Sequence, residues 1–522
     1  METGRLEDAK AGYDQLLQMP QTAQNGDIYW LILYDRGLIA EAEKKPEQAI
    51  DYYRQALEVI EEQRSTIHTE ANKIGFVGDK QQVYLRMVSN LIHLGRDREA
   101  FEYAERAKSR ALVDMLAGRQ QFAVPEDTLE DTNRILEKLD RMEAENRVQD
   151  PGFSETRHNR QRGLAVRLKK TLTETAPELA SLVTVTPVQA KEIQSLIEED
   201  ETLVEYYYKN DQLFAFIVTR RDVKALRLKV ANLVNDIRAL RDHIADPSST
   251  SYEGVANRLY QDIWHPIAGR VTGERLIVVP HGALHYLPFC ALYSGRDYLI
   301  DRFKIRILPS AGVMPFLHTR ERGGREDNML AYGNPDLGDP KLDLAFAQDE
   351  AVRISKLWPR AEVLLRDQAT ESSLKSAGGR FKQIHFATHG KFDIDEPLTA
   401  SGLMLVRDHE NDGFLSVGEL YTLRLNADLV TLSACETALS EVTDGDEVIG
   451  FTRGFLYAGA NSIVSTLWSV DDRATRDLMI EFYRRMRETS KMEALKEAQL
   501  MTKERYGHPF YWAAFQLIGN AN

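Results

Sequence analysis

Two short apolar runs set the strongest limit on what this chain can fold into. Gln383-Ile384-His385-Phe386-Ala387-Thr388 ends at His389-Gly390, and Asp428-Leu429-Val430-Thr431-Leu432-Ser433-Ala434 ends at Cys435. Each reads as a strand buried on both faces, as in a parallel sheet covered by helices. In open α/β sheets chemistry collects at the carboxyl ends of the strands, and each run puts a reactive side chain there. A thiolate attacks acyl carbon well when a histidine holds or takes its proton. The 46-residue spacing from His389 to Cys435 leaves room for neighbouring parallel strands to bring the two together. On these residues alone two readings stand side by side. One is a Cys435 nucleophile with His389 as acid/base partner. The other is a buried, inert thiol and a core histidine with satisfied hydrogen bonds. Gly390, lacking a Cβ, lets a substrate backbone approach, and the N–H groups of Gly390 and Cys435 are candidate oxyanion donors.

The second half of the chain repeats the strand–helix alternation. Thr202–Tyr208 and Gln212–Thr219 are β-rich and joined by Lys209-Asn210-Asp211, a hairpin signal; Val223–Leu228 follows as a third strand, then an amphipathic helix over 230–244. Further strands are expected at 275–284, 303–309, 328–335 and 460–468. Helices fit at 348–358, 370–377, 448–457 and 473–487. Alternation of this kind predicts a mixed, mostly parallel sheet with helices on both faces.

The first 120 residues are different. From Asp27 to Leu116 apolar and small residues recur at helical spacing, and strand signals are scarce. Gly37, Ala49, Tyr53 and Ala56 form one unit; Ala100, Ala104 and Ala107 repeat its core 51 residues later, behind Gly95. Small residues let the two helices of a hairpin approach closely, and the bulkier residue fills the gap, the pattern of a tetratricopeptide repeat. The period exceeds the usual ~34 residues; an insertion near 64–79 or a longer helix pair explains it. An α-hairpin that merely caps the next domain is the alternative. The last helix runs on through 106–119, another helical segment spans 125–148, and Gln149-Asp-Pro-Gly-Phe-Ser breaks it. The basic run over 157–170 reads as a solvated helix face, or as a contact to an acidic partner or RNA.

At 522 residues the chain is too long for one core, so roughly two to four domains are expected. A formal charge of −14 argues against the whole molecule being a nucleic-acid binder. Two cysteines, Cys290 and Cys435, give neither a disulfide framework nor a CxxC metal site and fit a reducing cytosol. The opening residues lack an apolar leader, and no apolar run reaches the ~18 residues of a membrane span. The expected location is cytoplasmic. No GxxxxGK[ST] and no strand-linked GxGxxG is present, which disfavours a nucleotide-dependent enzyme.

A series of motifs in order goes further. His385-Phe-Ala-Thr-His-Gly, Pro397-Leu-x2-Ser-Gly-Leu-Met-Leu, Leu432-Ser-Ala-Cys-Glu-Thr, Gly454-Phe-Leu-Tyr-Ala-Gly-Ala, Leu467-Trp-Ser-Val-Asp-Asp and His508-Pro-Phe-Tyr-Trp-Ala-Ala-Phe, preceded by Val278-Val-Pro-His-Gly-Ala-Leu-His-Tyr-Leu-Pro-Phe, resemble the CHAT peptidase domain of the caspase and separase clan. Helical repeats in front of such a domain are that family's usual arrangement. The resemblance implies an α/β caspase-like peptidase domain over 185–522 (an N-terminal pseudo-subdomain at 185–270 and a catalytic part at 271–522), tetratricopeptide-like repeats over 1–120 and a helical linker region over 121–184. It implies His389 and Cys435 as catalytic pair, the backbone N–H groups of Gly390 and Cys435 as oxyanion donors, and no metal or other cofactor. The implied reaction is peptide-bond hydrolysis of a protein substrate through a thioester.

Asp393 and Asp395 follow the histidine and are candidates to orient it, or are simply solvated. In this clan the segment after the last matched strand helps line the substrate pocket, which implicates Trp468, Asp471, Asp472 and Asp477. The acids suit a basic side chain; Arg473 and Arg476 interrupt them, so an apolar substrate side chain stays open. The acidic loop over 441–447 is either an activation loop or a surface connection. The helical repeats suit a regulatory protein or ribonucleoprotein partner that switches the peptidase on. The competing reading is an inactive CHAT scaffold that binds protein partners.

Overall fold

The computed structural model describes residues 6–64, 80–108, 189–319, 327–344, 346–391, 400–420, 422–433 and 449–522. The expectations for 65–79, for the helices and basic run within 109–188, for Asp393, Asp395 and Cys435, and for the loop 441–447 lie outside these residues. The chain divides into two compact units, Met1–Ala190 and Lys191–Asn522.

Among its described residues the first unit is all-α. Helix α1 (Leu6–Gln18), α2 (Pro20–Gln24) and α3 (Gly26–Ala42) lead into α4 (Pro46–Arg64), and α5 (Gln81–His93) pairs with α6 (Asp97–Ala107). The 51-residue repeat is literal. Lys44 (φ 59°) and Gly95 (φ 72°) occupy the same left-handed position at the end of the first helix of each hairpin. In each, the next residue's N–H returns to a carbonyl of the last turn, Lys45 to Ala40 and Arg96 to Leu91, both at 2.9 Å. Ala49, Tyr53, Ala56, Ala100, Ala104 and Ala107 are all buried. A Cβ on Gly37 would come within 2.3 Å of Tyr53 Cε1, so glycine is what lets α3 and α4 close on the tyrosine ring. The first two helices were not expected from the sequence.

The second unit is built on one eleven-stranded sheet. Its strands are β1 (Glu201–Lys209), β2 (Gln212–Val218), β3 (Val223–Leu228), β4 (Arg275–Val279), β5 (Lys304–Ile307), β6 (Asn328–Pro335), β7 (Arg360–Arg366), β8 (Gln383–Ala387), β12 (Leu429–Leu432), β13 (Ser462–Thr466) and β14 (Phe515–Gly519), in spatial order β3-β2-β1-β4-β5-β14-β13-β12-β8-β6-β7. Neighbours are parallel except at β1–β2, β2–β3 and β13–β14. The antiparallel step at β13–β14 therefore joins two blocks whose parallel strands point in opposite directions. Asn210 (φ 49°) and Asp211 (φ 57°) make the left-handed pair of a type I′ turn between β1 and β2, the predicted hairpin. A small second sheet pairs β9 (Gly390–Lys391), β10 (Gly402–Met404) and β11 (Phe414–Ser416).

Period-2 alternation on β8 shows how both faces are covered. His385 meets Tyr483 on α11 (Asp472–Met486) and Glu350 on α8 (Ala347–Ser355). Phe386 faces the other way, stacking on Tyr332 of β6 (4.9 Å) and approaching Phe455 of α10 (Ile449–Ala458; 6.1 Å). The remaining main helices are α7 (Leu233–Ala245), α9 (Glu371–Ala377) and α12 (Lys491–Tyr506). The result is a mixed, mostly parallel sheet with helices on both faces, preceded in the chain by the helical region described above. Among the described residues no helix is long and apolar enough to cross a membrane.

Candidate functional site

The two opening runs are hydrogen-bonded neighbours. β8 and β12 pair in parallel with Phe386 opposite Leu432, and Ser433 N–H donates to the Phe386 carbonyl at 2.8 Å. His389 and Cys435 each lie three residues beyond that pair in the chain. Both strands thus leave the sheet at one edge.

His389 is held on two sides. Its own carbonyl accepts the Met404 N–H (2.8 Å), Thr388 Oγ1 donates to the Met404 carbonyl (2.5 Å), and Gly390 pairs with Leu403. Its ring Nε2 lies 2.7 Å from the carbonyl oxygen of Leu342. A carbonyl only accepts, so Nε2 carries the hydrogen and, in the neutral ring, Nδ1 carries the lone pair. Leu342 sits in the loop after β6, and that loop is closed by Asn334, whose Oδ1 accepts the Leu344 N–H at 3.0 Å. Sequence reasoning sought the orienting group among nearby acids; among the described residues it is a backbone carbonyl, which leaves no mark in a sequence.

A cavity of about 110 Å³ opens beside the histidine, with Glu350, His389, Ser433, Asp472 and Thr475 as its main polar wall. Of the four expected pocket residues, Asp472 alone lines it. Its Oδ2 accepts the Phe346 N–H (2.8 Å); burial, reinforced by the Glu350 charge, pushes its carboxyl above the usual range. Asp471 caps α11 through the Ala474 N–H (2.9 Å). Asp477 is bound between Arg476 and Arg505, each at 2.6 Å. Trp468 is buried and donates its Nε1 hydrogen to the Phe510 carbonyl (3.1 Å). Arg476 is likewise engaged, with Asp477 and Asp349.

Glu350 and His385 were not singled out from the sequence. Glu350 is 1% exposed and His385 fully buried. His385 Nε2 is 2.8 Å from Glu350 Oε1 and its Nδ1 is 3.2 Å from the Tyr483 hydroxyl, which donates to Thr431 Oγ1 at 2.7 Å. This buried chain ties α8 and α11 to the two strands that carry the site. The other His-Gly motif, at the end of β4, belongs to the oppositely directed block and hence to the opposite sheet edge. There His281 Nδ1 accepts the Tyr208 N–H (3.0 Å) and the ring stacks on Tyr207.

Tetratricopeptide repeat protein 28 of Homo sapiens is 29% identical over 297 residues, and its Mus musculus counterpart 28%. The match covers 47% of this chain but 12% of each relative, so the chain corresponds to a small part of those proteins. Among solved structures, the separase–securin complex of Saccharomyces cerevisiae aligns with a TM-score of 0.49 at 12% identity, covering 91% of this chain and 37% of that one. The cysteine proteinase gingipain R aligns at 0.33 and 10%, covering 56% and 74%. The CHAT domain profile matches residues 253–520, just over half of the sequence, and the chain belongs to the CHAT domain family.

Proposed function

We propose that the chain is a cysteine endopeptidase of the caspase and separase clan that uses Cys435 and His389. The observation that carries this is the fixed orientation of His389: its Nε2 hydrogen is committed to the Leu342 carbonyl, which leaves Nδ1 as base beside a cavity at the strand edge. His389 Nδ1 takes the Cys435 thiol proton, the resulting thiolate attacks the scissile carbonyl, and the N–H groups of Gly390 and Cys435 receive the oxyanion. His389 gives a proton from Nδ1 to the leaving amine as the tetrahedral adduct collapses to a thioester. Water, losing its proton to His389, then hydrolyses the thioester and restores the thiolate. The Leu342 carbonyl also stabilises the transient imidazolium. No metal or other cofactor enters.

A regulatory protein or ribonucleoprotein docking on the helical repeats switches the enzyme on in this reading, and the location is cytoplasmic. The purified chain then cleaves poorly and a co-expressed partner raises the rate; strong cleavage without any partner would sink the regulatory part. The chemistry is tested by cleavage and by labelling with peptidyl acyloxymethyl ketones. Cys435→Ala and His389→Ala each abolish turnover while the circular dichroism is retained. Cleavage that survives Cys435→Ala excludes the mechanism; a chain that shows neither cleavage nor Cys435-dependent labelling leaves the partner-binding scaffold.

A further inference from the structure

Among the described residues the large apolar side chains left exposed are Leu16 (38%), Met19 (40%), Ile28 (50%) and Leu31 (44%), all at the start of the helical unit. They form one face. Lys10 pairs with Glu43 and Asp14 with Arg36, so α1 and α3 run antiparallel. Tyr13 on α1 donates its hydroxyl hydrogen to Asp35 on α3 (2.6 Å). From that bond Leu16 and Met19 follow Tyr13 at three-residue steps, while Leu31 and Ile28 lie one and two turns before Asp35. Both stripes lead in the same direction and lie side by side. None of the residues of α1 is buried, although a helix of this length draws most of its stability from a packed apolar face. The surround is acidic. Helices α1 to α3 carry six carboxylates against two cations, Lys10 and Arg36, both engaged in the ion pairs above. Glu7, Asp8 and Asp27 are exposed and make no ion pair among the described residues; Asp27 accepts from the neutral Gln63 amide.

We infer that the α1–α3 face is the docking surface for a basic amphipathic helix of a partner protein. The inference rests on the regulatory part of the proposed function and not on the chemistry at Cys435. A contiguous exposed apolar patch rimmed by polar groups marks a contact site. The seam between two antiparallel helices accepts a third helix, whose apolar residues at i, i+3, i+4 and i+7 cover Leu16, Met19, Ile28 and Leu31. Lysine and arginine on the flanks of that helix meet Glu7, Asp8 and Asp27, which speeds the encounter and fixes its register. A second copy of this chain would set the same acidic excess against itself across a two-fold axis. The phosphates of RNA meet the same repulsion. The chain's own basic run over 157–170, with Leu164 and Leu168, has the complementary sign, so the test separates it from a partner.

The full chain is tested as Cys435→Ala, so that no probe is cleaved. The probe is a fluorescein-labelled peptide of about 15 residues with leucines at i, i+4, i+7 and i+11 and lysines on its other faces, followed by anisotropy. It binds, and Leu16→Gln/Leu31→Gln weakens it by about 10-fold or more while leaving the net charge unchanged. Glu7→Gln/Asp8→Asn weakens it by about threefold at low salt and by less at high salt. The same peptide with glutamate for lysine binds about 10-fold more weakly or worse. All four substituted side chains are exposed, so circular dichroism is retained; Ile28→Gln repeats the comparison independently. Absent binding, an affinity unmoved by the leucine substitutions, or a glutamate peptide that binds as well overturns the inference. So does self-association in sedimentation that Leu31→Gln abolishes, which gives the face to a second copy. Peptide binding that appears only after Arg160, Arg162 and Arg167 are changed to glutamine gives it to the chain's own basic run and also overturns the inference. Each of these results leaves the peptidase chemistry standing. Leu16- and Leu31-dependent docking, in a chain that shows no Cys435-dependent hydrolysis, upholds the docking face and overturns the peptidase reading.

Discussion

Tyr483→Phe deletes one oxygen from the centre of the buried chain and nothing else. The ring keeps its edge contacts to Trp358 (5.3 Å) and His385 (5.5 Å). Thr431 Oγ1 loses its 2.7 Å donor and His385 Nδ1 its 3.2 Å acceptor, both at fully buried residues. Each orphaned buried group costs about 1–3 kcal/mol, and partial rotation of the threonine recovers some of it, so about 2–4 kcal/mol is expected. At about 1.4 kcal/mol per tenfold, amides of β8 and β12 that exchange by opening of this core lose roughly 30- to 1,000-fold in hydrogen-exchange protection. Amides of the first unit serve as the unaffected reference. Thr431→Val removes the partner from the other side. The double variant therefore falls short of the sum of the two singles by about 1 kcal/mol or more, because the tyrosine–threonine bond is broken only once. Protection in β8 and β12 reduced by less than about threefold, or losses that simply add, would refute the claim that this hydroxyl couples the two strands.

Asp472→Asn tests the burial of this carboxyl. Because burial raises the folded-state pKa, the wild-type carboxyl contributes fully below its ordinary 3.8 and loses that contribution as pH rises through the folded value. The asparagine variant, which still accepts from Phe346, is thus the more stable protein near pH 7, and melting curves converge as pH falls below 3.8. Burial pushes the Cys290 thiol up to about 12, so iodoacetamide at pH 8 leaves Cys290 unmodified in the native chain and reaches it only after denaturation, as peptide mapping would read. Gly37→Ala drives a Cβ into the fully buried Tyr53 ring; net of the helix-propensity gain of about 1 kcal/mol, it destabilises the helical unit by about 1–3 kcal/mol in thermal unfolding.

The features that proved legible were those whose cause is local. β8 and β12 are continuous apolar runs, the β1–β2 turn needs residues that tolerate positive φ, and the two helical hairpins repeat their small residues in register. What escaped depends on the assembled sheet. β7 sits at an edge, only partly buried, and its Arg360-Ala-Glu362 start shows no strand alternation. The antiparallel entry of β14 reverses one block against the other, which sends His281 and His389 to opposite edges, and nothing near either histidine encodes that reversal. The Leu342 carbonyl is chemically identical to every other carbonyl until the loop closed by Asn334 points it at His389. Glu350 is different, because a trace of it was readable. Ala347, Ala351 and Ile354 form the apolar stripe of α8, and Glu350 falls on that stripe, whereas Asp349 falls off it and pairs with Arg353 and Arg476 on the surface. An acid in a core register must be neutralised, bonded or used. Here it lies 2.8 Å from His385 Nε2 on one side and meets a cavity on the other, and a fold that needed only stability would be served at least as well by a well-packed apolar side chain at that position.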